Sequence, residues 1–482
     1  MKHYPGCFAL AMFLCAFSAF GATQIGETTL ARGATTAESS AGEIRILGKN
    51  APIYQGDVVS TGPRSFAMVS LEDGTKMTLR PNTVFKFEEF NVEPKKERSV
   101  VRLFKGGMRT VTGYLSKRNP NAFKMRTAVA TIGIRGTEFD ARLCATDCAE
   151  EAETVTVARG APVSKVVGRV GFVNGSLTRD RDGQSQRLSV GASIHEGDKL
   201  TTDSRSVAVL AFRDEARVTL TQNSEFLVEE YRYDAVDPQK SLSALRLLSG
   251  GLRAVTGLIG ASNPNGYRVS TAVATIGIRG TGFDIICQDD CAAETQASPT
   301  RTQSKDLLVG FFRMLIPNAF AQTAPEGPGF YASVWDGDIV ISNLPGSDLL
   351  IAEGEIYFVP VSGAPIMLDT LPVNIDAPLP TEVDIDQEEF FGTEEQDDPE
   401  PGLYVSCYTG ECDLELEDEI INLGDGEAAF ADESGQNQIR LELIPPFQSN
   451  DPWLDEQTLL LYNGLLNDVG DIGSGEFQCN IQ

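Results

Sequence analysis

Two stretches of this chain are nearly the same sequence. Gly106–Asp140 reads GGMRTVTGYLSKRNPNAFKMRTAVATIGIRGTEFD, and Gly250–Asp284 reads GGLRAVTGLIGASNPNGYRVSTAVATIGIRGTGFD. At a constant offset of 144, 22 of these 35 positions are identical. Upstream, Tyr54–Phe90 aligns with His195–Tyr231 at an offset of 141 without gaps, sharing Gly56/Gly197, Asp57/Asp198, Arg64/Arg205 and Asn82/Asn223. A unit of about 140 residues that occurs twice is a duplicated domain, because solenoid repeats run to about 20–50 residues. Whatever fold the first copy takes, the second must take as well.

Each unit reads as strands. Two alternating runs flank Asp73-Gly74 in Phe66–Leu79, a hairpin signal, and Val207–Phe212 and Ala216–Leu220 repeat it around Asp214-Glu215. Asn119-Pro120-Asn121 and Asn263-Pro264-Asn265 have loop chemistry. The TAVATIGIRGT segment mixes β-branched residues with glycines suited to turns or bulges. Helical periodicity of any length is hard to find, and 46 Gly and 24 Pro favour turns. The expected class is all-β, with short antiparallel strands packed as a sandwich or roll.

Charge divides the 482-residue chain. Residues 1–300 hold 36 Lys and Arg against 32 Asp and Glu, whereas residues 301–482 hold 4 against 36. The acidic last third repels phosphates and anionic headgroups, and the near-neutral remainder carries no nucleic-acid footprint. The start reads as an export signal. Lys2 precedes an apolar run, Phe8–Phe20, too short to span a membrane, and Ala19 and Gly21 suit cleavage after Gly21. The expected location is therefore periplasmic or extracellular.

In an exported chain, the close pairs Cys144/Cys148, Cys287/Cys291 and Cys407/Cys412 read as local disulfides, leaving Cys479 over. Their spacing, with no neighbouring His, argues against a metal site. Residues 292–328 are polar at both ends around an apolar patch, Leu307–Ile316, that Arg313 interrupts; it reads as a long packing loop or a docking loop. Strand-like sequence resumes at Phe330–Ser342 and again at Leu403–Cys412 and Ile420–Phe430, each with a Gly-Glu turn nearby.

The ordered elements GD(V/K)(V/L)xT, RS, GG(M/L)R, NPN and TAVATIGIRGTxFD resemble the FecR domain, a family of periplasmic domains. Thr127–Phe139 and Thr271–Phe283 carry its core twice, and Val334–Val340 with Glu353–Glu355 resemble the end of the second copy. Val167–Val190 serves as the end of copy one, the start of copy two, or both. After the export signal at 1–21, the resemblance implies domain one at 43–165 and domain two at 166–291, an insertion at 292–328 and completion of domain two at 329–360. An acidic, exposed linker at 361–401, a third β unit at 402–445 and a tail at 446–482 follow. The anti-sigma and transmembrane segments of the ferric-citrate regulator have no match here, so transmembrane signalling is not implied.

No GxSxG, HExxH or P-loop pattern is present, and neither of the two His belongs to a catalytic pattern, so no enzyme is expected. His195, at the position of Tyr54, reads as an exposed turn residue. Arg135 and Arg279 are the most prominent polar residues, each set in an apolar strand near glycines. Such an arginine forks onto a ligand carboxylate, or onto Asp140, Asp284 or a nearby Glu within the fold. With the loop residues Asn119, Asn121, Asn263 and Asn265, these make up the candidate binding set. No cofactor is expected; calcium on Asp336/Asp338 or Asp384–Glu389 is the one alternative kept. The expected function is protein binding or scaffolding in the cell envelope, with binding of a wall glycan such as peptidoglycan second and hydrolysis third.

Overall fold

A computed structural model describes residues 23–119, 121–152, 164–181, 183–288, 325, 327–344, 347–392 and 399–454. The signal peptide, the apolar patch 307–316, Cys291 and Cys479 lie outside the described residues. The structure is all-β, in two large sheets. One has 15 strands and the other 16, joined by a few short helices. No helix among the described residues is long and apolar enough to cross a membrane.

The hairpins form where the alternation places them. Phe66–Leu71 pairs with Lys76–Leu79, and Val207–Phe212 with Arg217–Leu220, both antiparallel. Asp73 closes the first turn by accepting from the Thr75 N–H at 3.0 Å and its hydroxyl at 2.8 Å. The inward residues form two aromatic cores, one with Phe85, Phe87, Phe123 and Phe139, the other with Phe212, Phe226, Phe283 and Phe330.

Long strands tie each domain's two layers together. The first half of Arg98–Val111 pairs with Val84–Asn91, and its second half with Lys76–Leu79 and Thr131–Cys144. Glycines at positive φ mark the bends: Gly106 (82°), Gly136 (63°) and Gly410 (84°) in one domain, and Gly250, Gly280 and Gly337 (77°, 64° and 71°) in the other. That conformation is strained for a residue with a Cβ. The glycine of the IRGT motif is therefore where a long strand turns from one layer into the next. Two pairings are parallel, Phe123–Arg126 with Arg98–Val111 and Tyr267–Ser270 with Leu242–Ser249.

The segment expected as a third β unit belongs to the first sheet. Gly402–Leu416 runs antiparallel to Thr131–Cys144, from Thr131↔Glu415 to Cys144↔Gly402. Gly329–Ser342 lies on Thr275–Gln288 in the same way in the second sheet. Domain two is thus inserted into domain one, and residues 402–441 complete the latter. Local alternation identifies such a strand, but only long-range pairing shows whose sheet it enters.

Other boundaries move too. Gln24–Arg32 and Thr35–Glu38 belong to the first sheet, ahead of residue 43. The strands from Val166 to Leu188 all lie in the second sheet, and Ile366–Leu368 ends it. The segment expected as an exposed acidic linker holds buried Ile385, packed on Val209 and Ala211, and buried Phe391. Its acidic composition masks the apolar residues that alternate inward.

Two expected disulfides are present, Cys144–Cys148 and Cys407–Cys412, with Cα separations of 5.5 and 6.1 Å. The third expectation, Cys287–Cys291, involves a residue outside those described.

Candidate functional site

The two aspartates of the repeat core are internal braces. Asp140 is buried and bound by both Arg109 nitrogens, at 2.7 and 2.8 Å, and by the Tyr408 hydroxyl at 2.9 Å. Burial raises its carboxyl above the ordinary value, against Arg109 and Tyr408, which favour the carboxylate. Asp284 takes Arg253 at 3.0 Å, the Ser333 hydroxyl at 3.1 Å and the Trp335 indole N–H at 3.3 Å. Each aspartate fastens a long strand to its neighbours through one arginine and one aromatic donor. Both aspartates are buried.

Arg135 does not pair with Asp140. It reaches across to Asp413 at 3.1 Å and Glu411 at 3.7 Å on Gly402–Leu416. The backbone of Arg279 stands opposite Asp338, and its side chain lies outside the described set. Asn119 ends a short helix and accepts from the Asn121 N–H at 3.1 Å; Asn263 donates to the Ser241 carbonyl at 3.1 Å. Asn121 and Asn265 are exposed. Of the described side chains in this set, Arg135 is the one brought to a junction between the sheets.

That junction holds a cluster of buried charge, with Arg169, Arg179, Glu411, Glu427 and Arg440 all buried. Arg169, on Val166–Asn174 of the second sheet, is fully buried and pairs with Glu427, on Glu427–Asp432 of the first. It also donates to the carbonyls of Gly191 and Asn422, at 2.7 and 3.0 Å, and to that of Phe390. Arg213 and Arg440 complete the clasp on Glu427, at 3.1 and 3.2 Å. Burial disfavours the Glu427 carboxylate, but the three guanidinium groups outweigh it and hold the carboxyl down to about 2. Burial and the neighbouring Arg169 bring Arg440 down to about 9.

A second contact lies beside the first. Glu411 receives Arg179 at 2.6 Å and Gln186 at 3.3 Å, so Arg135 and the second sheet share one carboxylate. The cleft here measures about 270 Å³ and is lined by Arg135, Gln186, Leu188, Glu411, Asp413 and Asn422.

His195 is buried in this junction, contrary to the exposed-turn expectation. Arg181 meets its Nδ1 at 2.6 Å, and its backbone N–H donates to Asp198 at 2.9 Å. Gly424 of the first sheet lies over the ring; a Cβ there would fall 3.1 Å from Nε2 and 2.5 Å from Val166. Burial, reinforced by Arg181 and Arg179, pushes the imidazole down to about 3, so it is neutral at physiological pH. The sequence Glu196-Gly197-Asp198 does form a turn, with Glu196 and Gly197 exposed, but a segment more than 200 residues away covers His195 itself. The arginine in the apolar run VVGRVGFVN was the one sequence signal for this junction.

Comparison with known proteins agrees with the repeat. The family model described as FecR protein matches residues 57–161 and 198–298. Two segments of the chain thus match the FecR domain. Two solved structures match, both of an anti-sigma factor, described as putative, from Parabacteroides distasonis ATCC 8503. Each is 12% identical with a TM-score of 0.22, covering 35% of this chain and 58% of the other. At that score the likeness carries no argument. No curated protein matches.

The FecR segments stop short of the strands that finish each domain, Gly402–Leu416 and Gly329–Ser342. The two FecR domains also use one aspartate alike. Asp57 accepts from the Tyr54 N–H at 2.9 Å and pairs with Arg45, whose guanidinium lies 4.9 Å from the Tyr54 ring centre. Asp198 makes a similar set with the His195 N–H and Arg181, the arginine here coming from the neighbouring strand, Leu177–Arg181. In the second FecR domain this corner is covered by the first; in the first it is half-buried and uncovered among the described residues.

Proposed function

We propose that this chain is a non-catalytic, exported docking protein of the cell envelope, in which two FecR domains form a single scaffold that binds another protein. The observation that carries this reading is a free sheet edge. Among the described residues Ile44–Ile46 ends the first sheet and pairs on one side only, and it exposes Ile44 and Ile46 at 68% and 85%. Natural sheets rarely leave apolar residues on such an edge without a partner, and an added strand is a common mode of protein recognition. The buried ionic clasp supports the scaffold part, because it fixes the two domains to each other.

A glycan groove has less support. Trp335 is packed against Gly282 and donates to Asp284, and Trp453 packs on Phe66, so neither lines a shared platform. Among the described residues no group of His, Cys, Asp or Glu is arranged to hold a metal ion.

The test is cross-linking of intact native-host cells expressing the tagged chain, followed by purification and mass spectrometry. A reproducible envelope protein supports the reading. Wall material retained in ~0.5 M salt, where charge contacts are screened, with no protein partner, replaces it by glycan binding.

A further inference from the structure

The duplication permits a comparison inside one molecule. The face of domain two that docks on domain one has a counterpart on domain one, and strand register identifies it residue by residue. Arg169 stands opposite Ala211 in the second sheet, and Glu27 opposite Ser70 in the first. Ala211 and Ser70 are equivalent at the offset of 141, so Glu27 occupies the place of Arg169. Glu72 likewise occupies the place of Arg213, and the two backbones make the same bond, Glu72 N–H to Ile25 C=O and Arg213 N–H to Val167 C=O. Two arginines that clasp Glu427 from domain two are thus two glutamates on domain one.

Both glutamates are exposed and have no ion-pair partner among the described residues. Beside them lie the half-buried Tyr54 with Arg45, and the apolar edge of Ile44 and Ile46. We propose that this face of domain one receives a turn from a different protein, seated as the Gly424–Glu427 turn seats on domain two but carrying lysine or arginine where Glu427 stands. The proposal rests on the protein-docking reading and names its surface and the chemistry of its partner.

The occupant is not a second copy of this chain. The turn of domain two that corresponds to Gly424–Glu427 is Ala352–Glu355: Glu355 accepts from the Ala352 N–H at 3.0 Å, as Glu427 accepts from the Gly424 N–H at 3.0 Å. That turn would bring Glu355 against Glu27 and Glu72, where like charges repel. It would also bring a methyl group where Gly424 leaves room for the ring beneath. A basic turn with a small residue at its first position satisfies both constraints.

The probe is a backbone-cyclised, labelled peptide of residues 419–428 carrying Glu427→Arg, titrated into the full chain by fluorescence anisotropy, with the unsubstituted peptide as reference. The expected result is saturable, salt-sensitive binding at least about tenfold tighter for the arginine peptide, the scale of one well-placed charge pair. Glu27→Gln with Glu72→Gln should remove that preference while leaving the melting temperature unchanged. Equal binding of the two peptides, no binding up to ~1 mM, the weakest affinity worth assigning to a specific contact, or full retention in the double variant would overturn the proposal. If it fails while cells still yield a cross-linked envelope partner, the docking reading stands and the face is elsewhere.

Discussion

Arg169 and Glu427 are 258 residues apart in sequence and form a buried ion pair between the two sheets. Each is removed from water, so each helps to offset the cost of burying the other's charge. Replacing Arg169 by Met alone takes the most deeply buried of three guanidinium groups from the Glu427 carboxylate, and replacing Glu427 by Gln leaves three arginines without the carboxylate they share. Either single variant should lose about 3–5 kcal/mol, and Arg169→Met with Glu427→Leu should lose less than the sum, since a buried pair exchanged for apolar groups is often nearly neutral. Urea unfolding of the three variants checks this.

His195 sets an acid limit on the junction. Its folded-state value near 3 lies below the ordinary 6.5, so the unfolded chain binds the proton first as pH falls. Stability is complete above about pH 6.5 and declines between there and about pH 3, by up to about 1.4 kcal/mol per pH unit. Glu427, lowered from 4.5 to about 2, adds to the loss only below about pH 4.5. Between about pH 6.5 and 5 His195 is therefore the group that lowers stability, while buried carboxyls raised in the fold, such as Asp140, act in the opposite sense. His195→Phe should flatten the slope there in chemical-denaturation curves taken at half-unit pH steps.

Gly424 fits because it lacks a Cβ. Gly424→Ala must displace Val166 or the His195 ring, at a cost of about 1–3 kcal/mol. Gly48→Ala, where a Cβ meets nothing within 4 Å, should stay within about 0.5 kcal/mol of the parent. Thermal unfolding of the two variants compares them directly. Hydrogen exchange should locate the damage of the first in the Ser193 and Gly424 amides.

The Cys144–Cys148 bridge closes a short loop, with a sequence separation of 4. Chain entropy then limits its contribution to about 2 kcal/mol. Cys144→Ser with Cys148→Ser should cost that much and leave the junction intact, as read by unchanged exchange at Ser193.

The fold class was legible because its signals are local. Alternation at Phe66–Leu79 and the duplicated TIGIRGT glycines state strands and bends outright, and the structure places Gly136 and Gly280 at the bends. What escaped is what depends on contact across the chain. Nothing near Leu403 says that its strand lies on Leu143. Nothing near His195 says that Gly424 covers it. Arg135 was singled out for a fork onto a carboxylate, and it does meet carboxylates, but they belong to Glu411 and Asp413 rather than to Asp140. Arg169, the arginine that matters most to the junction, sits in an apolar run whose only warning is its own charge.

On the proposed reading, the chain docks another envelope protein on the uncovered corner of its first FecR domain. The most direct test places a photo-reactive amino acid at position 46, on the free edge, and a second at position 186, the equivalent of Arg45 on the covered edge. Irradiation of intact cells should give one discrete higher-mass adduct from position 46, and only intramolecular products from position 186. The same faint ladder from both positions, or an adduct from 186 alone, would contradict it.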